Sequence, residues 1–127
     1  MLHQVFVYGT LKKNHANHYL LSGARFVGLS ELRGFELWDL GSFPGIIPAD
    51  KPGLLVQAEL YETDHETLQR LDELEDYFGP ADERNLYDRT LTTDTSGRKG
   101  WVYVLRKQVL VSLMSIKKAR LIPEGNF

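Results

Sequence analysis

Short apolar runs, broken by glycine, proline or polar residues, dominate the chain and predict mainly strands. Residues 5–8, Val-Phe-Val-Tyr, are β-branched and aromatic and stop at a Gly-Thr pair, which is typical of a buried strand that ends in a turn. The stretch 24–40 is also strand-like, and Gly28 and Gly34 interrupt it as bulges or bends would. Further strands are predicted at residues 46–47, 54–61, 86–93 and 100–106, and turn residues at 95–98 join the last two as a hairpin.

Two segments carry helical signals. Residues 63–66, Thr-Asp-His-Glu, have the form of a capping box and predict a helix over about residues 64–76. A shorter helix is predicted over residues 14–21, with Asn14 as its N-cap and Gly23 just past its end.

The remaining segments decide the predicted fold class. Glycine, proline and polar residues predict loops at 41–45, 48–53 and 77–85, whereas 108–122 is apolar without a clear period and its conformation stays open. No repeat, low-complexity stretch or long linker divides residues 1–127, so a single domain is predicted. Many short, bent strands with inserted helices predict an α+β fold and favour a small barrel over an open sheet.

The composition narrows the classes of partner and site. A formal net charge of -2 gives no reason to expect nucleic acid or an anionic membrane as partner. The chain has no cysteine, which excludes a disulfide framework, a thiol nucleophile and a cysteine-based zinc site. The opening MLHQVFVYG lacks the pattern of a signal peptide, and no apolar run is long enough to cross a bilayer, so a cytoplasmic protein is expected.

One acidic side chain of the predicted long helix points toward its apolar face. With Leu68 set at zero and about 100° per residue, Leu71 lies near 300° and Leu74 near 240°. Glu75 then lies at about 340°, inside the leucine stripe, whereas Glu73 falls on the polar side. Burial would raise the pKa of Glu75 and suit it to general acid or base chemistry near neutral pH. The alternative is a structural carboxylate in the last helical turn that pairs with an arginine.

The loop after the first predicted strand has the chemistry of an anion site. Gly9 lets the chain turn and leaves backbone N–H groups uncovered, which would suit a carboxylate. Thr10 could add a hydroxyl donor, and a helix N-terminus near Asn14 would strengthen the effect. A plain turn is the alternative explanation of Tyr8-Gly9-Thr10.

Several short motifs together resemble a known family. In order they are VFVYGTLKKN, SFPGIIP, a glutamate at the end of the LDELED helix, LYDRT and the closing LIPEGNF. Their order and spacing are similar to the γ-glutamylcyclotransferase-like superfamily, and closest to its small γ-glutamylamine cyclotransferase type. The resemblance extends over nearly the whole chain.

The resemblance implies a fold, a reaction and a set of site residues. It implies a small mixed β-barrel with flanking helices. It also implies a reaction in which the α-amine of a small γ-glutamyl substrate attacks its own γ-carbonyl, so that 5-oxoproline forms and an amine is released. It places the acid/base glutamate on Glu75 and the loop that binds the glutamyl group through backbone amides on Tyr8, Gly9, Thr10 and Leu11. No cofactor and no metal are expected.

Some positions depart from the family pattern or stay open. Asp76 stands where the family often has glycine, directly after Glu75. Tyr87 and Arg89 match a Tyr-x-Arg motif, in which we expect Tyr87 to border the pocket and Arg89 to be structural. A non-catalytic module that binds a small carboxylate, or an interaction protein on the same fold, is the alternative function. The leaving amine and the oligomeric state are not predicted, and the loop at residues 77–85 is a candidate to frame the amine.

Overall fold

The computed structural model describes residues 2–49 and 54–127 as one mixed α+β arrangement. The predicted strands are all present, with bounds shifted by a few residues, and the predicted turn at 48–53 falls largely outside the described residues. The elements are β1 (Leu2–Val7), a 3-10 helix (His18–Leu21), β2 (Arg25–Arg33), β3 (Phe35–Asp39), β4 (Pro44–Pro48), β5 (Leu55–Asp64), α1 (His65–Leu74), β6 (Tyr87–Thr93), β7 (Lys99–Leu105), α2 (Lys107–Ser115) and β8 (Arg120–Ile122).

The described strands form two sheets. One has five strands in the order β2-β5-β1-β7-β6, and the other has three in the order β4-β3-β8. Strand β1 lies at the centre of the larger sheet, antiparallel to β5 and parallel to β7, while β6 and β7 form the predicted hairpin. The pairings over residues 2–49 and 54–127 do not join the two sheets into one closed ring, so the small barrel stays a prediction.

The second half of β1, from Val5 to Val7, is buried on both faces, which explains why these residues are all apolar. Side chains alternate across a strand, so Val5 and Val7 pack in the cluster that α1 covers. Phe6 and Tyr8, at the next positions, pack in the cluster beneath the smaller sheet. The chain that leaves the end of β1 therefore emerges between these two clusters.

Helix α1 is shifted from its prediction at both ends. Its N-cap is Asp64, whose side chain accepts a hydrogen bond of 2.8 Å from the Thr67 amide, so the predicted box on Thr63 and Glu66 is wrong by one residue. The helix ends at Leu74 because Asp76 has a left-handed backbone with φ of 50°, which cannot continue it.

The predicted helix over residues 14–21 is wrong. Asn14 has φ of 70°, a left-handed conformation that an N-cap does not adopt, and the chain makes turns until the short 3-10 helix His18–Leu21. The tail at 108–122, whose conformation the sequence left open, contains most of α2 and then β8. The predicted loop at 41–45 overlaps β4, which already begins at Pro44. In the described part of the chain, no helix has the length and apolar character to span a membrane.

Candidate active site

All six residues predicted for the site lie around one cavity of about 370 Å³ at the end of β1. The cavity is bounded by the loop after β1, the start of β4, the end of α1 and the inner faces of β6 and β7. Its lining residues are Phe6, Val7, Tyr8, Gly9, Thr10, Leu11, Ala16, Asn17, Ser42, Phe43, Pro44, Leu74, Glu75, Asp76, Leu86, Tyr87 and Tyr103.

Close packing against Pro44 explains the glycine at position 9. A Cβ atom on Gly9 would lie 2.8 Å from the Pro44 Cδ atom and closer still to its Cγ atom, distances that real side chains do not tolerate. Glycine is therefore needed here for close approach of the loop to β4, in addition to any turn it permits.

The loop presents unused backbone donors. The Lys12 amide donates to the Gly9 carbonyl at 3.0 Å, which closes a turn. The amides of Gly9, Thr10 and Leu11 donate to no acceptor within the described residues. Consecutive N–H groups without acceptors are typical of anion sites, and the binding of a carboxylate by this loop stays a prediction.

Asn17, which also lines the cavity, fixes this loop by two hydrogen bonds. Its amide donates to the Thr10 carbonyl at 2.8 Å, and its side-chain Nδ2 donates to Thr10 Oγ1 at 2.9 Å. The Thr10 hydroxyl accepts this bond, so its own proton remains to donate. The loop is thus supported by a side chain rather than by the helix N-terminus that the sequence suggested near Asn14.

Glu75 follows the last residue of α1 and is partly buried at the cavity wall. Burial, and secondarily the charge of Asp76, raises the pKa of its carboxyl to about 7. No group among residues 2–49 and 54–127 forms a hydrogen bond or ion pair with the Glu75 carboxylate. A carboxyl with this pKa and no partner can exchange protons with a molecule bound in the cavity.

The structural alternative for Glu75 required an ion pair with an arginine, but that pair is formed by Asp72, one helical turn earlier. Arg89 Nη1 donates to both carboxylate oxygens of Asp72, at 2.9 and 2.7 Å, and its guanidinium lies over the rings of Tyr77 and Trp101. Glu75 therefore has no arginine partner within the described chain. Arg89 does not line the cavity, which agrees with the structural role predicted for it.

Three buried tyrosines form the apolar side of the cavity. The Tyr87 hydroxyl donates to the Pro44 carbonyl at 2.6 Å, and the Tyr8 hydroxyl donates to the Tyr103 carbonyl at 2.7 Å. The Tyr103 hydroxyl donates to Asp72 at 2.7 Å. Burial raises the pKa of each phenol well above its ordinary value, so all three stay protonated. They surround Glu75 with low-dielectric material and are not proton acceptors themselves.

Sequence reasoning missed Asn17 and Tyr103. Asn17 lies in a polar run without periodicity, and its contact with Thr10 depends on the turns at residues 12–17. Tyr103 is one of several apolar residues in a regular strand, and nothing in its neighbours distinguishes it. Pro44 was noticed only as part of a loop motif. In the structure its ring packs against Gly9, and its carbonyl accepts a hydrogen bond from the Tyr87 hydroxyl.

The raised pKa of Glu75 predicts a dependence of stability on pH. Between pH 4.5 and about 7 the folded protein holds a proton that the unfolded chain releases, so folding stability falls as the pH rises through this window. Replacing Glu75 with glutamine removes this penalty. We expect the substitution Glu75→Gln to increase the free energy of unfolding by up to about 3 kcal/mol more at pH 8 than at pH 4. Urea unfolding of both proteins at the two pH values measures this, and an equal effect at both would contradict the raised pKa.

Comparisons with known proteins relate this chain to one family. The profile of a family described as gamma-glutamyl cyclotransferase, AIG2-like, matches residues 5–127. The gamma-L-glutamyl-butirosin B gamma-glutamyl cyclotransferase of Niallia circulans is 40% identical over 107 residues, covering 81% of this chain and 67% of that protein. The gamma-glutamylcyclotransferase family protein YtfP of Escherichia coli (strain K12) is 30% identical over 106 residues, covering 84% and 85%. The crystal structure of an AIG2-like protein from Mus musculus superposes with a TM-score of 0.73 at 25% identity, covering 99% of this chain and 88% of that one.

Proposed function

The chain belongs to the gamma-glutamyl cyclotransferase, AIG2-like family, and we propose that it cyclises the γ-glutamyl group of a small γ-glutamyl amine or amino acid to 5-oxoproline. The attached amine is released in the same reaction. The observation that carries this proposal is the Glu75 carboxyl on the cavity wall, which has a pKa of about 7 and no partner among the described residues. Gly9, Thr10 and Leu11, whose amides have no acceptor in the same part of the chain, line the same cavity. The cytoplasmic location expected from the sequence is part of the proposal.

The loop and the cavity hold the glutamyl chain in a folded conformation. The amides of Gly9, Thr10 and Leu11 bind the α-carboxylate, and the tyrosine rings, including Tyr87, enclose the methylene groups. Holding the α-amine against the γ-carbonyl of the same molecule supplies much of the rate, because the reaction is intramolecular.

Glu75 moves the protons. Its carboxylate takes a proton from the α-ammonium group, and the freed amine attacks the γ-carbonyl carbon. The bond between that carbon and the leaving nitrogen then breaks as protonated Glu75 donates to the leaving nitrogen. In total the α-ammonium nitrogen loses two protons to become the lactam N–H, and the leaving nitrogen gains two to become an ammonium. Glu75 ends each turnover as it began.

A substrate with a blocked α-amine tests the proposal. We expect γ-glutamyl amines to yield 5-oxoproline, detected by mass spectrometry, and their N-acetyl derivatives to yield no product, because the acetylated nitrogen cannot attack. Release of the amine from both compounds would indicate attack by water and overturn the proposal. Binding of 5-oxoproline without turnover of any γ-glutamyl compound would instead favour the non-catalytic module.

Glu75 and the adjacent Asp76 give a further prediction, about the pH dependence of the reaction. Since Glu75 must be ionised to accept the proton, kcat/KM should fall tenfold per pH unit below about pH 7. The charge of Asp76 contributes to the raised pKa, so Asp76→Asn should move this acidic limb to lower pH, by less than the shift that burial causes. Asparagine tolerates the left-handed backbone at this position, which keeps the loop intact. An unchanged limb in the variant would contradict the assignment of the limb to Glu75.

A further inference from the structure

Three consecutive carbonyls of the loop after β1 are each held by one partner. The carbonyls of Gly9 and Thr10 accept hydrogen bonds from backbone amides, at 3.0 and 2.8 Å. The carbonyl of Leu11 lies 2.9 Å from Nδ1 of His18, which is the one side chain among the three partners. Because a carbonyl oxygen has no proton to give, Nδ1 of His18 carries one, in the neutral ring and in the imidazolium alike. His18 is therefore a donor to this loop in both of its charge states.

The His18 ring is held in place from outside the cavity. His18 begins the short 3-10 helix, and its amide donates to the His15 carbonyl at 3.2 Å. The ring is half-buried and lies against the ring of Tyr61, with 5.8 Å between the two centroids. His18 is not among the residues that line the cavity. An effect of His18 on a molecule in the cavity must therefore pass through the loop.

The peptide units of the loop convert these carbonyl bonds into an orientation of its amides. The described residues contain no cis peptide bond, and in a planar trans peptide the N–H points opposite to the C=O of the preceding residue. The Leu11 carbonyl shares a peptide unit with the Lys12 amide, so His18 orients the amide that bonds to the Gly9 carbonyl. The Gly9 carbonyl in turn shares a unit with the Thr10 amide. The contact of His18 is thus relayed to an N–H that has no acceptor in the described chain.

We propose that His18 is a positioning residue, whose bond to Leu11 holds the loop amides in the orientation that binds the α-carboxylate of the glutamyl group. This inference rests on the proposed function and adds to it a residue outside the cavity lining. Without the bond, the peptide unit between residues 11 and 12 is free to rotate, and the turn that it closes on Gly9 is weakened. The amides then meet the carboxylate in poorer geometry, whereas the apolar contacts of the cavity with the rest of the ligand are unchanged.

Two ligands that differ at one group test the inference without requiring turnover. 5-Oxoproline carries a carboxylate, and 5-oxoprolinamide has a neutral amide in its place, so isothermal titration calorimetry of both measures the preference for the charged group. We expect the native protein to bind 5-oxoproline more tightly, because hydrogen bonds to an ionised acceptor are stronger. His18→Leu should weaken the binding of 5-oxoproline by about tenfold and that of 5-oxoprolinamide by much less. His18→Asn should keep the native preference, because Nδ2 of asparagine and Nδ1 of histidine are both attached to Cγ.

Two further variants make the test specific. His15→Leu is the matched control, since the His15 ring lies against Phe127 and forms no hydrogen bond within the described chain, and it should keep both native affinities. His18→Phe keeps a ring beside Tyr61 without the donor and should behave as His18→Leu does, so the test does not depend on one variant folding. Equal weakening of both ligands in His18→Leu and His18→Phe, or the same loss in His18→Asn, would overturn this inference alone. A native protein that neither binds 5-oxoproline nor releases it from any γ-glutamyl compound would overturn the proposed function together with it.

Discussion

Glu75→Gln should reduce the rate of 5-oxoproline release by about 10²- to 10⁴-fold, the range typical of a lost general acid or base. Glutamine has the shape of glutamate but cannot accept the proton of the α-ammonium group. The defect should appear in kcat, since the loop amides that we propose to bind the α-carboxylate are unchanged. Steady-state kinetics at pH 8, with 5-oxoproline measured by mass spectrometry, gives the comparison.

The same variant carries its own control for folding. Because the folded state disfavours the ionised Glu75, the glutamine protein is expected to be more stable than the native one at pH 8. Urea unfolding at pH 8 checks this, and a variant that is folded at that pH has lost its activity for a reason other than unfolding. Glu73→Gln is the matched control, since Glu73 is exposed and does not line the cavity, and it should keep native activity. Native kcat in Glu75→Gln would remove Glu75 from the mechanism.

Gly9→Ala should damage both stability and turnover. The added methyl group would overlap the ring of Pro44, so the loop must move away from β4. Overpacking of this kind costs about 1–3 kcal/mol of folding stability. A displacement of the loop amides by about 1 Å would lower kcat/KM by about 100-fold, because the α-amine would no longer be aligned with the γ-carbonyl.

A double variant separates this clash from a general effect of alanine. Pro44→Ala removes the ring atoms that the new methyl group would meet, while its carbonyl can still accept from Tyr87. Gly9→Ala combined with Pro44→Ala should therefore be more stable and more active than the sum of the single variants predicts. Strict additivity of the two free-energy changes would contradict the packing explanation.

Most strands could be predicted because their signals are local. The buried half of β1 is a run of β-branched and aromatic residues, Val5-Phe6-Val7. Gly28 and Gly34 interrupt the next strand region where a register shift and a left-handed residue occur. The prediction of a helix over residues 14–21 was wrong for a physical reason. Asparagine favours helix caps but also adopts the left-handed conformation, and the sequence does not distinguish the two at Asn14. The predicted length of α1 was too long because Asp76 also adopts the left-handed conformation, which its sequence context does not reveal.

The candidate site was predicted in part for similar reasons. Glu75 could be identified because a carboxylate in a leucine stripe conflicts with helical periodicity, and such a conflict is visible in one dimension. The family resemblance supplied the reaction and the roles of the loop. Asn17, Pro44 and Tyr103 contribute through contacts between segments distant in sequence, whose pairing depends on the order of strands in the sheets.

The most direct test of the account is the identity of the product. The native protein is incubated with the γ-glutamyl amide of 1,5-diaminopentane, and 5-oxoproline, glutamate and free diamine are quantified together by mass spectrometry. We predict 5-oxoproline and diamine in equal amounts with no glutamate above the uncatalysed level. Glutamate in place of 5-oxoproline would show attack by water rather than by the α-amine and would contradict the central claim.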